Sequence, residues 1–157
     1  LPGDLASDAA AGVQSSPRIA LGGDRYLAVW TDARAAVLTF DSGDQSSTDI
    51  FAARLAADGT LLDAIPLVIS HDLGTETDAR VAWNGTDWLV AWKGQVPSEF
   101  FYQQAVLAVR VSSDGVVLDD EPLVMFTSSS SVNWALTSNG SEWLIVAQGT
   151  QAGDGGI

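Results

Sequence analysis

The 157-residue sequence predicts an all-β fold made of repeated four-stranded antiparallel units, and three observations carry that prediction. One pattern recurs three times: an apolar stretch, a Gly-containing turn, then a Trp-rich or Tyr-led apolar run, as in "IALGGDRYLAVW", "VAWNGTDWLVAW" and "ALTSNGSEWLIVA". A second pattern recurs between them, "DIFAARLAADGTLLDAIPLVI" matching "AVLAVRVSSDGVVLDDEPLVM". No stretch of the chain carries a convincing helical period. Repeats of this length mark a supersecondary unit that buries its faces against its neighbours.

Four strands are expected per unit. Strand a runs from about Arg18 to Leu21 or from Arg80 to Trp83, and ends at Gly22-Gly23, Asn84-Gly85 or, in the third copy, Asn139-Gly140. These dipeptides tolerate the positive φ that tight hairpins require. Strand b is Tyr26 to Trp30, Trp88 to Trp92 or Trp143 to Ala147, apolar at nearly every position, which implies burial on both faces. The recurring Trp30, Trp92, Trp88 and Trp143 are therefore expected in the packing between units. Strand c lies near Ile50 to Leu55 or Val106 to Val111 and ends at the Asp58-Gly59 or Asp114-Gly115 turn. Strand d is expected to begin around Leu61 or Val117 and to run past Pro66 or Pro122, residues that cannot donate to a ladder and so suit a sheet edge. Arg54 and Arg110 stand in otherwise apolar strands and are expected to pair with Asp63 and Asp119 or with a neighbouring unit, as structural ion pairs in preference to an anion site. The sequons at Asn84 and Asn139 need no glycan, because the hairpin turn alone accounts for Asn-Gly followed by Thr or Ser.

Four-stranded antiparallel units stacked with their strands buried between neighbouring sheets describe β-propeller blades. The chain divides into an orphan outer strand and loop at 1–16, a first blade at 17–70, a second at 78–127 and a partial third at 131–157, an incomplete ring of about two and a half blades. The missing strands are expected from further sequence or from another chain. From about Pro17 to Ile157 the residues resemble the degenerate β-propeller repeats of bacterial secreted and surface proteins, with the pattern Asn-Gly turn, "xWLVxW", then "DIxAxRxxxDGxxLD". That resemblance implies a secreted or cell-surface location and a propeller fold, but no single activity, because such folds host lectins, hydrolases and scaffolds alike. The Asp-box of sialidase-type propellers separates its Asp and Gly by one residue. Here Asp58-Gly59 and Asp114-Gly115 are adjacent, and sialidase chemistry does not carry over.

Charge and composition narrow the partners. A net charge of −13, with only seven scattered Lys and Arg residues, repels phosphate backbones, so no nucleic acid is expected. No apolar run reaches the roughly 18 residues of a membrane helix, and no membrane insertion is expected. With no cysteine there are neither disulfides nor thiolate metal sites.

Function is expected on the rim that carries the b–c and d–a connections. The first long b–c connection, "TDARAAVLTFDSGDQSST", brings Asp41 and Asp44 close to Asp49 directly after it, an oxygen-rich set that can hold calcium or simply solvate a loop. The second, "KGQVPSEFFYQQ", offers Phe100, Phe101 and Tyr102, rings that stack on sugars, pack on a partner or cover the rim itself. His71, the only histidine and a further ligand-binding candidate, lies beside Asp72 in the d–a connection with no nucleophile or metal motif near it, and a surface position accounts for it equally. Three function classes follow: a binding or recognition propeller with a glycan or protein ligand, a scaffold or assembly module of a bacterial surface protein, and a glycan-active hydrolase or lyase. No recognisable catalytic pair favours the last, and no cofactor other than calcium is suggested.

Overall fold

In the computed structural model, residues 13–33, 48–70, 74–98 and 102–148 are described. They form ten strands in three antiparallel sheets and, among the described residues, no helix. The first sheet has the order β1 (Gln14–Gly22), β2 (Arg25–Asp32), β3 (Asp49–Ala56), β4 (Leu67–Val68). The second repeats it with β5 (Thr77–Trp83), β6 (Asp87–Pro97), β7 (Tyr102–Ser112) and β8 (Leu123–Ser128), and the third holds β9 (Asn133–Ser138) and β10 (Trp143–Gln148). Every neighbouring pair is a sequential antiparallel meander. The described residues do not close a ring.

The second sheet is covered on both faces, which is why β6 and β7 are apolar without alternation. Trp88, Val90 and Trp92 of β6, with Leu107 and Val109 of β7, pack against Leu27, Val29, Ile50 and Ala52 of the first sheet. The residues between them, Leu89, Ala91, Val106 and Ala108, turn the other way onto Trp134, Leu136, Trp143 and Ile145. One sequence period of two thus feeds two cores. The outer sheets lack that second cover: Ile19 and Leu21 on one side and Leu144 and Val146 on the other are exposed.

The a–b turns are set by their glycines. Gly23, Gly85 and Gly140 all have positive φ, and the side-chain oxygens of Asn84 and Asn139 cap the turns by accepting backbone N–H bonds at 2.8–2.9 Å. Gly85 is the most constrained, since a Cβ there would sit 2.6 Å from the carbonyl oxygen of Gly140 in the next sheet. Replacing Gly85 with Val is therefore expected to cost at least about 1 to 3 kcal/mol of backbone strain. The collision with the neighbouring turn adds to that. A variant melting at the parent temperature would refute this account of the turn.

Three differences from the sequence reading have physical causes. Strand β1 begins at Gln14 and not near Arg18, continuing past Pro17 through a register shift between Ser15 and Arg18. An identical shift occurs between Thr77 and Arg80, and the residues at the two kinks, Ser16 and Asp78, both have φ of 54°. The bulge absorbs the proline's missing N–H in the first copy and re-aims Asp78 in the second. The fourth strand starts after the proline, at Leu67 or Leu123, because Leu61 and Val117 make only isolated bridges. The N–H that a ladder would have taken is claimed by a carboxylate: Asp63 accepts the Arg54 N–H at 2.7 Å and Asp119 accepts that of Arg110 at 2.7 Å. Both aspartates also take the arginine side chain, Nη2 to Oδ1 at 2.6 Å in each copy.

Candidate functional site

The b–c connection of the second sheet is built by extending its two central strands. β6 and β7 are 11 residues each, against 8 in β2 and β3, and their ladder runs on through Gly94↔Ala105, Gln95↔Gln104, Val96↔Gln103 and Pro97↔Tyr102. Most of the stretch read from sequence as a loop is thus a projecting ribbon. Gly94 and Pro97 suggest a break, but Pro97 stands at the last described pair. Edge and terminal positions of that kind are where a ladder tolerates a missing N–H.

Residues directly opposite share a face, and the faces alternate. Pro97 with Tyr102, Gln95 with Gln104, and Lys93 with Val106 therefore lie on one side of the ribbon. Tyr102 is 65% exposed there. At its base stands a charged group organised by Asp78: Lys93 Nζ lies 3.4 Å from Asp78 Oδ2, Arg80 Nη2 3.3 Å from it, and Trp134 Nε1 donates to it at 3.0 Å. The Arg80 guanidinium also covers the Trp134 ring at 4.5 Å. Sequence reasoning missed Asp78, whose φ of 54° and bulge are its structural signature. An Asp two residues before the recurring Arg was the available signal.

Other described polar residues of this rim are turned inward. Glu76 is buried, accepting from Trp92 Nε1 at 2.9 Å and from the Ser70 hydroxyl, while Ser70 Oγ accepts the Ile50 N–H at 3.1 Å. Thr48 Oγ1 donates to the Glu76 carbonyl at 2.7 Å. This network ties the d–a connection to the first sheet. Asp49, expected in a loop with Asp41 and Asp44, is instead the first residue of β3, buried and directly opposite the equally buried Asp32. Asp32 accepts from Trp30 Nε1 at 3.0 Å, and the Trp30 ring stacks with Phe51 at 6.4 Å. Asp41, Asp44, His71, Phe100 and Phe101 lie outside the described residues. Among the described residues no group of three or more His, Cys, Asp or Glu is placed to hold a metal ion.

Chemically, the exposed part of the rim offers an aromatic face, amides that both donate and accept, and a Lys–Asp–Arg group. It can stack and hydrogen-bond. No family model, no curated protein and no solved structure matches the chain.

Proposed function

We propose that the chain is a segment of a β-propeller-type recognition module, secreted or displayed on a bacterial surface, that binds a carbohydrate on the rim bearing the b–c connections. The stacked antiparallel sheets are read as successive blades. The observation that carries the binding assignment is the exposed Tyr102 ring on the same ribbon face as Gln95 and Gln104. An aromatic ring covers the apolar face of a sugar, and flanking amides satisfy its hydroxyls in either hydrogen-bonding sense. The net charge of −13 favours neutral over acidic glycans.

A glycan array read with labelled protein tests this. Retention of at least one neutral glycan is expected, and Tyr102→Ala is expected to weaken it roughly tenfold, the loss of about 1.4 kcal/mol of stacking and burial. Tyr102 is exposed, so its removal leaves the fold intact. Retention unchanged in Tyr102→Ala would move the site elsewhere, release of reducing ends would make the module a hydrolase or lyase, and silence across the array would favour the scaffold reading.

A further inference from the structure

The two faces of the ribbon that carries Tyr102 differ. Val96, between the exposed Gln95 and Pro97, packs against the core between the first two sheets. Gly94 belongs to the same covered face, where a Cβ would lie 2.9 Å from Leu107 Cδ1. The other face holds three cross-strand pairs in line: Pro97 with Tyr102, Gln95 with Gln104, and Lys93 with Val106. The first and third of these pairs are separated by four residues of strand, roughly 13 Å. A single sugar ring stacked on Tyr102 cannot reach Lys93.

The inner end of that line has hydrogen-bonding capacity that its own contacts leave unused. Among the described residues Lys93 Nζ contacts only Asp78 Oδ2, at 3.4 Å, and an ammonium carries three donors. Asp78 Oδ2 also takes Trp134 Nε1 at 3.0 Å and Arg80 Nη2 at 3.3 Å, whereas Oδ1 has only a 3.5 Å contact with the same Arg80 nitrogen. Both side chains are reachable, Lys93 at 30% exposure and Asp78 at 26%. A spare donor beside a spare acceptor suits two adjacent hydroxyls, one accepting from Nζ while its neighbour donates to Oδ1. The fold itself requires neither charge. The first sheet builds the same bulge with Ser16 in the place of Asp78, at the same φ of 54°, and has Thr31 in the place of Lys93. Its central strands stop at 8 residues each. The charged pair and the 11-residue strands of the ribbon thus occur together in the second repeat.

We infer that Lys93 and Asp78 form a second subsite for adjacent hydroxyls of a neutral sugar, so that the ligand is a linear oligosaccharide of about three units lying along the ribbon from Tyr102 to Lys93. This rests on the carbohydrate reading of the Tyr102 ribbon and adds the length and direction of the ligand. Tyr102 stacks on the outer unit, Gln95 and Gln104 bond the middle one, and the Lys–Asp pair fixes the inner one. Lys93 is the residue that makes the site respond to chain length.

Calorimetric titration of the full chain with glucose, mannose, galactose and xylose, each as the monosaccharide and as its 1,4-linked di-, tri- and tetrasaccharide, tests this. A 1,4 linkage leaves two adjacent hydroxyls free on every inner unit. In at least one series affinity is expected to rise stepwise to the trisaccharide, by about tenfold at the last step, and to level off at the tetrasaccharide. In Lys93→Met that last step is expected to vanish, the loss of one charge-assisted hydrogen bond. Methionine keeps an apolar stem of similar length and gives up a single 3.4 Å contact, so the fold survives the change. A series that binds through Tyr102 with equal affinity at every length overturns the inference and leaves the carbohydrate reading standing. So does a last step that persists in Lys93→Met, or a uniform loss at all lengths, which would assign Lys93 to holding the fold. Neutral glycans retained on an array while none of these series binds would have the same meaning. Silence in both experiments overturns the two together.

Discussion

Trp92→Ala is expected to destabilise the chain by about 3 to 5 kcal/mol, the range for emptying a buried aromatic site. Trp92 is fully buried between the first two sheets, and its Nε1 is one of the donors that satisfy the buried Glu76 carboxylate. The substitution therefore opens a cavity and withdraws a hydrogen bond from a carboxylate out of reach of water. The milder pair Trp92→Phe and Trp88→Phe separates the two effects. Trp88 is equally buried, but its Nε1 has no partner among the described residues. Both phenylalanines lose similar volume, yet only the change at 92 strands an acceptor, which costs about 1 to 3 kcal/mol. Denaturant titration of both variants is expected to rank Trp92→Phe as the less stable. Equal losses would show that Glu76 does not depend on the indole.

That asymmetry marks where the sequence is informative. The continuous apolar run in "WLVAW" implies burial on both faces, and the structure supplies a different core for each face. Asn-Gly and Gly-Gly locate the a–b turns because few residues tolerate positive φ, and Gly23, Gly85 and Gly140 adopt it. Pro66 and Pro122 lack a donor and stand just before β4 and β8, which are the edge strands. These signals are local. What the sequence hides depends on register between segments far apart in the chain: that Asp32 opposes Asp49, that Glu76 reaches Trp92 and Ser70, and that Asp78 gathers Arg80, Lys93 and Trp134. The candidate site follows the same rule. Tyr102 was recognisable as an aromatic residue in a long connection, but its placement opposite Pro97 on a ribbon, two pairs beyond Gln95 and Gln104 and so on their face, follows from a ladder that Gly94 and Pro97 disguise. Asp49 was recognisable as acidic and was misplaced in a loop, since a carboxylate at the start of a strand resembles the end of a polar linker.

The second large effect is expected at the clamp that repeats in two environments. Arg54→Ala removes the side-chain partner of Asp63, whose side chain is only 8% exposed, and also the contact to the Ser113 carbonyl in the next sheet. Breaking a buried pair from one side costs about 3 to 5 kcal/mol; solvent reaches the edge of this one and screens it, so about 2 to 4 kcal/mol is expected. Arg110→Ala breaks the same bonds to Asp119 on the open side, where the arginine is half exposed, and is expected to shift melting much less. Acidity gives a second, independent check. Burial pushes the Asp63 carboxyl up, but the bonds and charge of Arg54 outweigh it and hold the group below the usual carboxylate range. At Asp119 the Arg110 side-chain hydrogen bond is the main cause of a lowering in the same direction. A carboxyl lowered on folding stabilises the native state at pH values above its unfolded pKa near 3.8, and that contribution is lost as pH falls through the lower folded value. The parent is therefore expected to lose melting temperature below about pH 4. In Arg54→Ala the side-chain bonds and the charge are lost while burial and the backbone N–H bond of residue 54 remain, so Asp63 is expected to protonate more readily than in the parent, and acid relieves the uncompensated charge. The gap between parent and Arg54→Ala should be widest near neutral pH and should narrow below about pH 4. Thermal melts of both proteins from pH 7 to pH 2 measure it. A gap that stays constant across that range would mean that Arg54 stabilises the fold through packing and its contact with the Ser113 carbonyl, with no contribution from the charge of Asp63.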